Sequence, residues 1–212
     1  MLLSLAWKNV WRNKKRSMIV VVAITFGLWG GLLSGALMMG MGESMVNTAI
    51  DRDLAHIQIH QEQYLQEKKL THQIPEPESV HTRLSEMERI QSYSFRTLVM
   101  GMASSPASSY GVRITGVDPQ QARMVTAIPE YITEGGYFDT DRRNPIVLGR
   151  KLAKRLDLEL HSKVVLSFQG LDESIVYIAC RVVGVFKTES ARFDESTVYV
   201  LQNDLFRVLE TE

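Results

Sequence analysis

From Ser17 to Gly42 the chain carries no charged residue, and its hydroxyls there are confined to Ser17, Thr25 and Ser34. At about 1.5 Å per residue this run crosses the roughly 30 Å hydrocarbon core of a bilayer, so residues 17–42 are expected to form a transmembrane helix. A cleaved secretion signal shares the basic start and a small triplet such as Ser34, Gly35, Ala36. Its apolar part ordinarily runs about 7 to 15 residues, and this one continues through Leu37, Met38 and Met39. Before it, Leu3, Trp7, Val10 and Trp11 recur at helical spacing. Residues 1–16 are thus expected as an amphipathic helix at the cytoplasmic membrane surface, anchored by Trp7, Trp11, Arg12, Lys14, Lys15 and Arg16.

Beyond Gly42 the helical period persists through Met45, Val46, Ala49, Ile50 and Leu54, which predicts a helical stalk over residues 43–55. Alternation then replaces it. Ile57 and Ile59 face one way and His56, Gln58 and His60 the other, the pattern of a strand, and residues 56–212 are expected as a separate α+β domain. Residues 61–77 read as a polar, proline-ended loop and 79–89 as a short helix. Strands are expected at 93–102 and 111–117, and a helix capped by Asp118 and Pro119 through Val125. Gly135 and Gly136 mark a turn, 146–148 a strand and 150–156 a helix. Residues 163–169 and 174–187 form a hairpin around Gly170 and Asp172. A strand at 197–201 and a helix at 203–209 follow.

Charge adds a direction to this pattern. The first 42 residues hold five Lys or Arg and no acid, leaving 19 basic against 24 acidic side chains in the other 170, so the zero net charge averages two unlike parts. Positive charge stays inside, which puts the amino terminus in the cytoplasm and residues 43–212 across the membrane, in a bacterium the periplasm. With Cys180 alone no internal disulfide can form, and its place in an apolar strand predicts a buried thiol.

Within the membrane segment Gly27, Gly31 and Gly35 lie four apart, a stripe that lets another helix approach closely and marks this face for helix packing. Val21, Ile24, Leu28, Leu32 and Met39 are expected on the opposite side, against lipid or a lipid-like substrate. The chain has no phosphate-binding Gly-x-x-x-x-Gly-Lys-Ser/Thr loop, no Gly-x-Ser-x-Gly and no His-Glu-x-x-His, so no catalytic, cofactor-binding or metal residues are assigned and no enzyme activity is expected. On a strand, His56 and His60 would lie about 13 Å apart, too far to share an ion. Ser104, Ser105, Ser108 and Ser109 around Pro106 read as a loop. Basic residues interspersed with acids argue against nucleic acid.

The opening Leu5-Ala6-Trp7-Lys8-Asn9-Val10-Trp11-Arg12-Asn13-Lys14-Lys15-Arg16 before an apolar helix resembles the amino terminus of MacB/FtsX-like ABC transporter permeases, in particular the LolC/LolE lipoprotein-releasing branch. Five further segments are similar to that family's periplasmic core in its order: 56–60, 114–118, 147–153, 181–188 and 193–200. The resemblance implies a MacB-like periplasmic core with a porter-like split βαβ subdomain and an inserted second one. It further implies a permease with four membrane helices, three of them beyond Glu212, in the bacterial inner membrane. The implied partners are a separate ABC ATPase, a sister permease in a homo- or heterodimer, membrane lipid and a lipoprotein or other envelope substrate. His161-Ser162-Lys163 departs from the family's Gly-Asp turn, and the hairpin at 169–174 is shorter than the loop with which the LolC type captures its carrier. A single-pass anchored sensor or binding module is the main alternative, and an envelope hydrolase using a serine with His56, His72 or His161 a third.

Overall fold

The computed structural model of the chain describes residues 7, 11–67, 70–140 and 142–209. Most of the interfacial helix expected over residues 1–16 therefore lies outside the described residues. Within it Trp7, Trp11 and Arg12 are helical, the two indole rings stand 6.3 Å apart, and the Lys14 ammonium sits 5.3 Å from the centre of the Trp11 ring. Residues 1–49 and 50–212 are two compact units.

The long helix of the first unit is α1, over Lys14–Ala49. Its stretch Lys14–Val46 is long and apolar enough to cross a membrane, and none of that window is buried by the rest of the chain. A Cβ added at Gly27, Gly31 or Gly35 would meet nothing within 4 Å, so the stripe is an open face. The helix is regular, and that regularity corrects the assignment of its two sides. At about 100° per residue Gly27, Gly31 and Gly35 sweep roughly 80° of the circumference, and Ile24 falls between Gly31 and Gly35. Leu28, Val21, Met39 and Leu32 follow within about 60° of Gly35. They border the glycine stripe instead of opposing it. The side facing away from the stripe is Val22, Trp29 and Leu33, all exposed.

In the second unit a π-helical turn, Ile50–Leu54, leads off, followed by the short helices α2 (Tyr64–Glu67) and α3 (Pro77–Ser85). Residues 56–60 form no strand, contrary to their alternation. A strand exists only through a partner's hydrogen-bond ladder, and here local bonds take its place: Gln58 Nε2 donates to the Leu54 carbonyl at 2.8 Å, and His60 pairs with the Gln58 amide at 2.9 Å. Strands β1 (Arg96–Ser104) and β2 (Ser109–Val117) then form a hairpin. Helix α4 (Pro119–Val125) is capped by Asp118, whose carboxylate accepts from the Gln120 amide at 2.8 Å. A 3-10 turn, Ile128–Tyr131, and β3 (Ile132–Gly135), neither of them expected from the sequence, precede Gly136 of the expected Gly135–Gly136 turn. Next come β4 (Pro145–Gly149), α5 (Arg150–Leu156), β5 (Lys163–Gln169) and β6 (Ile175–Phe186). Helix α6 (Ala191–Ser196), unmarked in the sequence reading, precedes β7 (Thr197–Leu201) and α7 (Gln202–Leu209).

Among the described residues all seven strands belong to one sheet in the order β3-β6-β4-β7-β2-β1-β5, and β5 also pairs with β6, so every strand but β3 takes part in a closed circuit. The α+β class follows. Residues 50–212 form one compact unit on this sheet. Closure depends on β6, twelve residues long: its first half pairs with β5, its second with β4 and β3. Burial changes along it accordingly. Val176, Ile178 and Cys180 alternate with exposed neighbours, whereas Val182–Phe186 is buried without interruption because both faces are covered there. One core gathers Ile114, Ile146, Leu148, Leu152, Leu166 and Val198; a second, with Val117, Ile128, Val147, Phe186 and Tyr199, lies among residues of the opposite parity on the same strands.

Candidate functional site

The second core carries a charge at its rim. Asp53, in the π-helical turn four residues after the first unit ends, is buried and receives donors from three strands. Arg96 of β1 reaches its Oδ1 at 3.2 Å and its backbone carbonyl at 2.7 Å. Arg113 of β2 reaches Oδ2 at 2.5 Å, and the Tyr199 hydroxyl of β7 donates to Oδ1 at 3.2 Å. These partners lie 43, 60 and 146 residues away in sequence. A carboxylate taken from water is tolerable only when its lone pairs are filled and its charge is balanced, and two guanidinium groups and a phenol supply both.

An aromatic floor supports the cluster. The Arg52 guanidinium lies 4.4 Å and that of Arg113 5.6 Å from the centre of the Phe193 ring, and Phe193 continues through Phe186 to Tyr199 with 5.8 Å between successive ring centres. Next to Phe193, Asp194 turns its carboxylate inward. Oδ1 accepts from the Thr188 hydroxyl at 2.7 Å, and both oxygens lie 3.1 Å from the Thr188 amide. Burial raises the Asp194 carboxyl above the ordinary range, with the Thr188 bonds opposing that shift. Gly149, at the end of β4, lies under Asp194: a Cβ there would fall within 2.5 Å of the Asp194 Cα and against its carbonyl. Three of the segments that carry the family resemblance, 147–153, 181–188 and 193–200, therefore meet at this corner.

The polar groups of the cluster are paired with one another. The serines around Pro106 are committed to packing the loop. Ser105 donates to the Leu156 carbonyl at 2.7 Å, Ser108 to that of Arg155 at 2.8 Å, and Ser109 to Ser104 at 2.8 Å. His60 stacks on Tyr64 and His72 lies 3.4 Å from Glu67. Among the described residues no three His, Cys, Asp or Glu side chains stand together as metal ligands. The membrane-segment residues singled out earlier, Gly27, Gly31, Gly35 and their neighbours, belong to the first unit. The sequence reading missed Asp53, Arg96, Arg113 and Tyr199. The one local signal was that Asp53 is one of three acids, with Glu43 and Asp51, in a helical stalk otherwise read from its apolar positions.

Burial around the two cores sets an alkaline limit on stability. The Tyr199 phenol is pushed well above its ordinary 10.0, first by burial and then by Asp53; burial raises Tyr137 from 10.0 to about 12, and burial with the Asp204 charge raises the Cys180 thiol from 9.0 to about 12. The unfolded chain releases these protons at their ordinary values while the folded one retains them, so stability falls as pH rises from about 9 towards 12. Unfolding monitored between pH 7 and 12 should show this loss, and Cys180→Ala should remove the thiol's part of it. The native thiol should also resist maleimide at pH 8 and react once urea opens the domain. An unchanged midpoint up to pH 11 would contradict the assignment.

The family model described as the MacB-like periplasmic core domain matches residues 17–211. No curated protein matches the chain. Among solved structures, the extracellular domain of the noncanonic ABC-type transporter YknZ from Gram-positive bacteria is similar at 17% identity and a TM-score of 0.46, over 63% of this chain and 66% of that one. A domain of a Porphyromonas gingivalis protein described as a permease is similar at 14% identity and a TM-score of 0.36, over 52% of this chain and 49% of that one. The chain thus spans under two thirds of the length of each.

Proposed function

The chain belongs to the MacB-like periplasmic core domain family, and on that premise we propose that it is the amino-terminal part of an ABC transporter permease subunit of the LolC/LolE type. In this reading the chain has no catalysis of its own. A separate ATPase binds on the cytoplasmic side of the inner membrane, a sister permease packs alongside, and ATP-driven motion of membrane helices moves residues 43–212 in the periplasm to release a lipoprotein or other envelope substrate. The observation that supports it is continuity: the membrane-type helix passes within four residues into Asp53, which is tied to β1, β2 and β7. A chain that must transmit movement gains from having the first turn after its membrane helix locked into the domain, which an anchored binding module would not require.

Glycines 27, 31 and 35 would pack against a partner helix, with Val21, Ile24, Leu28, Leu32 and Met39 bordering that contact against lipid or substrate. Gly31→Leu would push the helices apart, because dispersion contacts fade steeply with separation. The expected result is loss of ATPase and sister-permease copurification and of coupled release from the full-length gene product, with the periplasmic domain still folded. Trp29→Ala, on the far side, should leave assembly intact. Normal assembly with leucine at 31 would reject the stripe as the packing face, and failure of any ATPase to copurify with the unmodified protein would favour the anchored sensor.

Orientation has its own test. Cysteines at Ser4, which lies outside the described residues, and at exposed Ala107 are labelled in intact cells with an impermeant maleimide, while buried Cys180 stays silent. Labelling at 107 and not at 4 is expected; the reverse would invert the topology.

A further inference from the structure

The loop before β4, the start of β5 and the middle of β6 enclose an open cavity of about 400 Å³ lined by Arg142, Arg143, Asn144, Lys163, Cys180 and Arg181. Four of these are cationic. Lys163 and Arg181 are direct cross-strand partners, a like-charge pairing that costs stability when nothing lies between the charges. Among the described residues Arg142, Arg143, Lys163 and Arg181 form no ion pair; Arg52, Arg83, Arg89 and Arg192 also lack one, but the cavity gathers four such cations in one place. Asp204, whose charge reaches Cys180 in the cavity wall, is itself paired with Arg207 at 2.7 Å.

The cavity has a fixed frame. Asn144, at positive φ, donates its amide to the Ala179 carbonyl at 3.0 Å, accepts from Arg207 at 2.8 Å, and receives the Arg181 amide on its own carbonyl at 3.0 Å. The Arg181 guanidinium is held by the His161 carbonyl at 3.0 Å, which leaves its other N–H groups for a ligand. We infer that this cavity binds an anion bearing a phosphate group. Three forked guanidinium groups and an ammonium carry more charge than one carboxylate would neutralise, and a phosphate offers both the charge and the oxygens for bidentate donors. The volume lies in the range of small-molecule sites and admits more than a bare ion, so a phosphorylated small molecule and a phospholipid headgroup share the required chemistry.

The test uses the full chain in an uncharged detergent, titrated calorimetrically with inorganic pyrophosphate and, in a second arm, with dihexanoyl phosphatidylglycerol, against sodium chloride of equal ionic strength. Saturable binding that weakens with salt is expected, and Arg142→Gln/Arg143→Gln, two exposed loop positions, should weaken it by about tenfold or more. Lys163→Gln, which relieves the cross-strand repulsion, should weaken binding while leaving the melting temperature unchanged or raised. Tighter binding of the lipid would identify a headgroup site, and tighter binding of pyrophosphate a soluble ligand. Failure of both probes to exceed the salt control, or equal affinity in the double variant, would overturn the inference. An acidic protein surface as the true occupant would give that same null result.

Discussion

Replacing Asp53 with alanine will lower the melting temperature of the full chain in detergent by about 10 °C or more. The substitution leaves the half-buried Arg96 and Arg113 without a counter-charge and the buried Tyr199 hydroxyl without its acceptor. Breaking a buried pair from one side costs about 3 to 5 kcal/mol, chiefly because the surviving charges stay desolvated, and for a domain of this size each kcal/mol shifts the midpoint by roughly 2 to 4 °C. Asp53→Asn, which keeps an acceptor for Tyr199, should fall between alanine and the unmodified protein. The contrast is Arg123→Ala: its pair with Asp139 is solvent-exposed, and such pairs contribute about 1 kcal/mol at most. Differential scanning fluorimetry checks both, and an Asp53→Ala midpoint within about 1 °C of the unmodified protein would remove the cluster from the forces holding the domain together.

Gly149→Ala will cost about 3 kcal/mol although it adds a single methyl group. The Cβ would press on the Asp194 backbone, which cannot yield as a flexible side-chain tip could. Strand β4 is buried along its whole length, so relief must come from α6, and moving α6 pulls the Asp194 carboxylate from both Thr188 donors and Phe193 from under Arg52. Gly111→Ala is the control. A Cβ there meets nothing within 4 Å, and its effect should stay within about 0.5 kcal/mol. Denaturant midpoints at constant slope measure both, and equal midpoints would mean that the close approach of β4 and α6 is not a constraint.

Much of the local structure was legible because it depends on short-range rules. The uncharged run gave the long helix, Asp118-Pro119 gave the start of α4, and the alternation of residues 163–169 gave β5 with the bounds observed. Those signals need only neighbours a few residues away. The alternation at 56–60 misled for the same reason, since period-2 spacing describes a surface and not the presence of a partner strand. The arrangement of faces on α1 was in the sequence all along: about 100° per residue puts Leu28 beside the glycine stripe, and counting angle instead of spacing would have shown it.

The sequence by itself determined a membrane-length helix followed by an α+β domain, because hydropathy, capping and periodicity are properties of consecutive residues. Tertiary structure alone decided that β6 closes the sheet, that Gly149 must be glycine because the Asp194 backbone lies against it, and that Asp53 is held by β1, β2 and β7. Each of these joins residues tens of positions apart, up to 146 between Asp53 and Tyr199, and a charge gains its meaning only from what folding places around it.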